Sequence, residues 1–244
     1  MIKVDSINKS FGDKTVLNNF SAIFEAGKIN LIIGRSGSGK TMTIKCMLGL
    51  YQVDAGNIFF GERNFTTLSG IEKKDIRKEI GMVFQGGALF DSMNVEENIM
   101  FPLRMSEKMG WSEMQQRVDF CLNRVDLKNV NKLYPSELSG GMQKRVAIAR
   151  AISLNPKYLF CDEPNSGLDP TTATVIDNLL KEITYENNIT TVINTHDMNS
   201  VMDIADNIVF IKDGVKKWDG NRESFLTTKN QDLNEFKSSS KLFA

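Results

Sequence analysis

Apolar residues recur at two spacings along this chain, and the switch between them marks its elements. Ile2, Val4 and Ile7 are flanked by polar residues, Phe11-Gly12-Asp13-Lys14 reads as a turn, and Val16, Leu17, Phe20, Ile23 and Phe24 follow. Residues 1–25 therefore predict two strands. Ile29-Asn30-Leu31-Ile32-Ile33 is a short apolar run ending at a glycine-rich loop, which suits a buried parallel strand. Residues 40–49 can continue as a helix, and 57–66 and 80–84 read as further strands. From about Glu96 to Tyr134 the chain is rich in Met, Leu, Glu, Lys and Arg at helical spacing, with few turn signals. With a strong helix at 140–153, this predicts an inserted helical lobe over about 96–155. A strand at 158–162, a helix at 170–186, a strand at 189–194 and a helix at 199–205 follow. Strands at 207–212 and 215–219 then surround Asp213-Gly214. Such alternation predicts an α/β fold with a mostly parallel sheet. Residues 228–244 are polar and have a loose tail as their default. Leu226, Leu233, Phe236, Leu242 and Phe243 leave open a tail that docks.

Composition narrows the class. The 244 residues allow one large domain with lobes, and 41% apolar with 25% charged residues is ordinary for a globular protein. Thirty basic residues balance thirty acidic ones, so no bulk field draws in nucleic acid or anionic lipid. Cys46, Cys121 and Cys161 form no CxxC pair and read as reduced, mostly buried thiols; with one histidine, they do not suggest zinc. The first residues lack the apolar core of a signal peptide, and no run approaches the ~20 apolar residues that span a bilayer. Service to a membrane is expected to run through partners.

Gly34-Arg35-Ser36-Gly37-Ser38-Gly39-Lys40-Thr41 matches GxxxxGK[ST], with an apolar strand before it and a helix after it. Glycines let the backbone wrap a phosphate without a Cβ clash. The loop amides and the helix N-terminus then present positive charge. Lys40 supplies a point charge for the β- and γ-phosphates, and Thr41 offers Mg²⁺ a hydroxyl. This motif alone predicts nucleoside triphosphate binding, which kinases, GTPases, helicases and transporters share. Tyr158-Leu159-Phe160-Cys161-Asp162-Glu163 discriminates further: an apolar strand ends in two carboxylates that face opposite ways. Asp162 is placed to hold the hydration shell of Mg²⁺, and Glu163 to polarise an attacking water.

Leu138-Ser139-Gly140-Gly141-Met142 opens a helix, and here the chain resembles the ABC ATPase family, whose signature reads LSGGQ. The resemblance covers about residues 1–225 and implies a nucleotide-binding core, an antiparallel β lobe and the helical lobe. It implies a homodimer in which the phosphate loop of one chain and Ser139, Gly140, Gly141 and Met142 of the other hold ATP between them. Gln85 matches the Q-loop that contacts Mg²⁺ and water. Asp169, in Ser166-Gly167-Leu168-Asp169, matches the D-loop at the dimer seam. His196 matches the switch histidine that bonds the γ-phosphate. Phe11 matches the aromatic that stacks on adenine, Val16 the apolar residue beside it, and Ser36 to Met42 the phosphate contacts. The family domain is expected over 1–227, followed by a tail over 228–244 that is either loose or docked on the partner subunit.

Three positions depart from the family pattern: Met142 for glutamine, Asn165 for a common threonine and Arg35 for a frequent proline. None removes a phosphate, metal or water ligand. LSGGM, the segment Phe84 to Val95, and then Asn98-Ile99 and Pro102-Leu103 resemble the ATPase of bacterial Mla/Mce-type phospholipid transporters. That resemblance implies a peripheral subunit on the cytoplasmic face of the inner membrane. It implies permease subunits docked on the groove after Gln85, Mce-domain and accessory partners, and no direct lipid contact. Ala88, Leu89, Phe90 and Met93 are either the apolar wall of that groove or internal packing. An importer ATPase for another small solute, a soluble ABC protein without a permease, and a subunit that binds without hydrolysing are the alternatives. Intact Glu163 and His196 argue against the last.

Overall fold

The computed structural model describes residues 1–105 and 109–239. In chain order the first elements are β1 (Ile2–Phe11), β2 (Lys14–Phe24), β3 (Ile29–Ile33), α1 (Lys40–Met47), β4 (Ala55–Phe60), β5 (Arg63–Asn64) and α2 (Gly70–Lys78). Next come β6 (Ile80–Val83), α3 (Val95–Met105), α4 (Trp111–Arg124), α5 (Gly140–Ile152), β7 (Tyr158–Asp162) and α6 (Pro170–Glu186). The chain continues with β8 (Thr190–Thr195), α7 (Met198–Ile204), β9 (Asn207–Lys212), β10 (Val215–Gly220), α8 (Arg222–Thr227) and α9 (Gln231–Ser238). These divide into two compact units, one of Met1–Arg77 with the chain from Ile183 onward, the other of Lys78–Glu182.

The first unit holds an antiparallel sheet of order β2-β1-β4-β5. Ile2, Val4 and Ile7 of β1 and Leu17, Phe20, Ala22 and Phe24 of β2 are buried, so the alternation in the sequence has become one apolar face. Its other strands run β10-β9-β3-β8, with β3 parallel to both β8 and β9. All five residues of β3 are buried, Asn30 among them. Asn30 pays for its burial with hydrogen bonds: Nδ2 donates to the carbonyls of Glu25, Lys28 and Thr191, and Oδ1 accepts from the Glu25 amide at 2.8 Å. The second unit pairs β6 with β7 in parallel and packs α3, α4 and α5 around Val95, Ile99, Met100, Leu103, Val118, Leu122 and Val146. This is an α/β fold with parallel and antiparallel strands and a helical lobe, as the sequence predicts.

Four local expectations change. The strand expected over 57–66 is two strands, β4 and β5, separated by Gly61-Glu62. The helical lobe is interrupted between α4 and α5, where Asp126 (φ 52°) and Asn129 (φ 59°) take left-handed backbone and Pro135–Glu137 forms a 3-10 turn. Helices α2 and α8 have no counterpart among the predicted elements, since each buries a single side chain, Ile76 in α2 and Phe225 in α8. The tail expected to be loose contains α9. Asn230 Oδ1 caps it by accepting from the Leu233 amide at 2.9 Å, and Leu233 and Phe236 are buried against their own chain. Leu242 and Phe243 lie outside the described residues.

Candidate active-site residues

The phosphate loop leaves the buried end of β3 and enters α1. Gly34 has φ 157°, and a Cβ there would stand 2.3 Å from the Ile211 carbonyl oxygen and 2.7 Å from Ser38 Oγ, so a larger residue cannot occupy this position. The turn between β9 and β10 closes the other side: the Gly214 amide donates to the Ser38 carbonyl at 2.9 Å. Lys40 is 5% exposed, and its Nζ folds into the loop, donating to the carbonyls of Gly34 at 2.8 Å and Arg35 at 3.1 Å. Ser38 is buried, and its hydroxyl has no hydrogen-bond partner among the described residues. An orphaned donor beside a sequestered ammonium suits an oxyanion ligand. Ser36, Gly37 and Thr41 are exposed, and Met42 is half-buried.

Elsewhere in this unit Phe11 is 43% exposed and stands edge-on to Tyr51, with ring centroids 5.3 Å apart. Lys9 Nζ lies 5.2 Å from the Phe11 centroid. Val16 is half-buried, and its carbonyl backs the phosphate loop near Gly39. His196 is exposed just past the end of β8, where Asp197 caps α7 by accepting from the Asn199 amide at 2.9 Å. Arg35, Ser36, Gly37 and Ser38 also border a cavity of about 320 Å³ that Asp232 and Glu235 of α9 line from the tail.

In the second unit, Asp162 is the buried last residue of β7 and Glu163 follows it. Glu163 has φ 48°, a left-handed conformation that costs a non-glycine residue on the order of 1 kcal/mol. Gln85 donates from Nε2 to Glu163 Oε2 at 3.0 Å. Two cations of α5 reach the same loop: Lys144 Nζ donates to the Gln85 carbonyl, and the Arg150 guanidinium donates to the carbonyls of Gly87 and Ala88, both at 2.8 Å. Burial pushes the Lys144 pKa down, and the Glu163 carboxylate opposes that shift. Asn165 donates to Asp177 at 2.7 Å, so the residue at the departing position holds the loop to α6.

Ser139 is the N-cap of α5, its Oγ accepting from the Met142 amide at 3.3 Å. A Cβ on Gly141 would stand 2.7 Å from Thr172 Cγ2. Thr172 in turn donates its amide and its hydroxyl to Asp169, at 3.0 and 2.5 Å, and these bonds hold the Asp169 carboxyl below the usual carboxylate range. Ser139, Gly140, Gly141, Met142 and Asp169 thus line one cleft of about 430 Å³, joined by Arg145. Of the proposed groove residues, Ala88 and Phe90 are exposed, and Leu89 and Met93 are half-buried. Phe84, 41% exposed, adds to this surface.

Sequence reasoning brought Gln85, Glu163 and the signature residues to attention but missed Tyr51, Lys144, Arg145 and Arg150. Lys144 and Arg145 follow the signature motif after Gln143, on the same helix, and that proximity was the available signal. Tyr51 and Arg150 carry none that is local.

The family described as ABC transporter matches residues 17–166. The chain is 41% identical over 216 residues to the methionine import ATP-binding protein MetN of Clostridium tetani, a match covering 88% of this chain and 67% of that one. It is 36% identical over 233 residues to the intermembrane phospholipid transport system ATP-binding protein MlaF of Haemophilus influenzae, covering 96% and 88%. The fold is similar to the dimeric ATP-binding cassette MJ0796 in a post-hydrolysis state bound to ADP and Pi. That match has a TM-score of 0.83 and 31% identity, and covers 91% of this chain and 99% of that one.

Proposed function

The chain belongs to the ABC transporter family as an ATP-binding and ATP-hydrolysing subunit, and we propose that it powers phospholipid movement between the inner and outer membranes. The observation that carries hydrolysis is the Gln85 amide on the Glu163 carboxylate at 3.0 Å, which ties a loop glutamine to the acid that follows a buried strand. In this reading Ser36 to Met42 wrap the phosphates, Lys40 neutralises them, and Phe11 with Val16 receives the adenine. Glu163 orients the attacking water and draws off its proton, and His196 bonds the γ-phosphate. Thr41, Asp162 and Gln85 would hold Mg²⁺, which when bound offsets charge on the phosphates. Oxygen donors of this kind suit an ion that keeps water and shares phosphate ligands, and among the described residues no three His, Cys, Asp or Glu form a cage of their own. A second copy of the chain supplies Ser139, Gly140, Gly141, Met142 and Asp169 to the triphosphate, and ATP thereby closes the homodimer.

The lipid reading is supported by Met142 in the signature, by the segment from Phe84 to Val95, and by the 36% identity to MlaF across 96% of the chain. Permease subunits would dock on the exposed rings of Phe84 and Phe90, with Mce-domain and accessory proteins beyond them. No described helix is long and apolar enough to cross a membrane, so attachment to the cytoplasmic face of the inner membrane would run through the permease. The tail over 228–244 would dock on the partner subunit through its outer face. Import of a small solute is the second reading, favoured by the 41% identity to MetN. Reconstituting the chain with its membrane subunits in proteoliposomes decides between them. ATP-dependent movement of labelled phospholipid is expected, and methionine uptake without lipid movement would overturn the lipid reading.

A further inference from the structure

Gln85 poses a positioning problem. It sits on an exposed loop, two glycines follow it, and a glutamine side chain held in one conformation loses its rotamer freedom. Its amide nevertheless rests on Glu163. Helix α5 supplies what the loop lacks. Lys144 is 7% exposed and Arg150 9%, and between them they hold the carbonyls of Gln85, Gly87 and Ala88. The two residues are six apart, so they leave the helix about 9 Å apart along its axis. Arg150 fixes the far end of the loop. Lys144 fixes the peptide from which the Gln85 side chain departs, and its charge faces the Glu163 carboxylate. An apolar side chain would fill the same space without the cost of burying an ammonium. Placing a lysine there therefore points to a task for its charge and its protons.

We propose that Lys144 is a positioning residue for ATP hydrolysis: from the signature helix it sets the Gln85 backbone so that the Gln85 amide stays on Glu163. This inference rests on the hydrolytic roles given above for Gln85 and Glu163.

The test uses the full chain purified with its membrane subunits. Lys144→Met keeps the stem and removes the amine, and Lys144→Arg keeps charge and donors. Lys144→Met is expected to lower kcat about 10-fold, the usual size for a residue acting through a functional group, with KM for ATP within about two-fold. Lys144→Arg recovers most of that loss. In a Gln85→Ala background, adding Lys144→Met costs less than about two-fold, because the side chain it positions is gone. Equal losses in the two backgrounds, or wild-type turnover in Lys144→Met, would overturn the proposal. If Lys144→Met does not fold, Lys144→Gln takes its place in both backgrounds with the same two outcomes. Glu163→Gln run alongside separates the two levels: if it turns over normally the hydrolytic reading fails, and if it is inactive while Lys144→Met is unaffected only the present inference fails.

Discussion

Gln85 and Glu163 are joined by a 3.0 Å hydrogen bond although 78 positions separate them, and Glu163 holds its end of it from a left-handed backbone conformation. Strain of this kind persists where the surroundings over-determine it, commonly at sites of chemistry. Glu163→Gln keeps the shape and removes the base. It should bind ATP, slow phosphate release by at least about 100-fold and accumulate a closed dimer, as sizing in the presence of ATP would show. Turnover near the wild-type rate would remove Glu163 from the role of base.

The signature glycine faces a neighbour. A methyl group on Gly141 meets Thr172 Cγ2 at 2.7 Å, so Gly141→Ala should destabilise the second unit by about 1–3 kcal/mol through overpacking. Adding Thr172→Ser removes the opposing methyl and keeps the hydroxyl bonded to Asp169. Thermal melting should then recover while ATP turnover stays low, because the new methyl still stands over the amides. Recovery of both would show that the amide face plays no part in turnover.

Phe11 contributes a ring face without a hydroxyl. Stacking on a base is worth about 1–3 kcal/mol, so Phe11→Ala should raise KM for ATP about 10-fold, and Phe11→Tyr should leave it unchanged. Tyr51→Ala should produce a smaller rise by freeing the Phe11 ring from its edge contact. Steady-state hydrolysis against ATP concentration measures all three.

Helix α9 is held by Phe236 on Phe210, with centroids 5.3 Å apart, and by Lys212 on Asp232 at 2.5 Å. The hydrogen bond from Lys212 lowers the Asp232 pKa, and its counterpart raises that of Lys212. The aspartate's contribution is therefore present above its unfolded value and is lost as pH falls through its depressed folded value. The lysine's is present below its unfolded value and is lost as pH rises through its raised folded one. Protection of α9 amides from hydrogen exchange should be greatest between these limits and fall at both ends. Lys212→Met should flatten that profile.

Legibility in the sequence followed distance along the chain. The phosphate loop, the acids ending β7 and the start of α5 are contiguous motifs whose chemistry is local, and the sequence displays them whole. Lys144 on a helix reads as a solvated charge until the loop it anchors, some sixty residues earlier, is in place. Helix α9 carries only Leu233 and Phe236 as a short apolar face, and the partner of Phe236 is on a strand of the parallel sheet. Residues 125–139 hold Leu127, Val130 and Leu133 at helical spacing. The left-handed backbone at Asp126 and Asn129 decides against a helix there, and that choice belongs to the tertiary structure.

The three thiols have a practical meaning. Cys46, Cys121 and Cys161 are all buried and unbridged, and desolvation pushes Cys46 and Cys121 up to about 11. An alkylating reagent consequently finds no thiolate on the native surface. Each sulfur becomes a silent reporter that develops signal only when its own element breathes, Cys46 from the first unit and the other two from the second. The wild-type molecule thus carries its own local-opening clock, one that separates the two units without any engineered label.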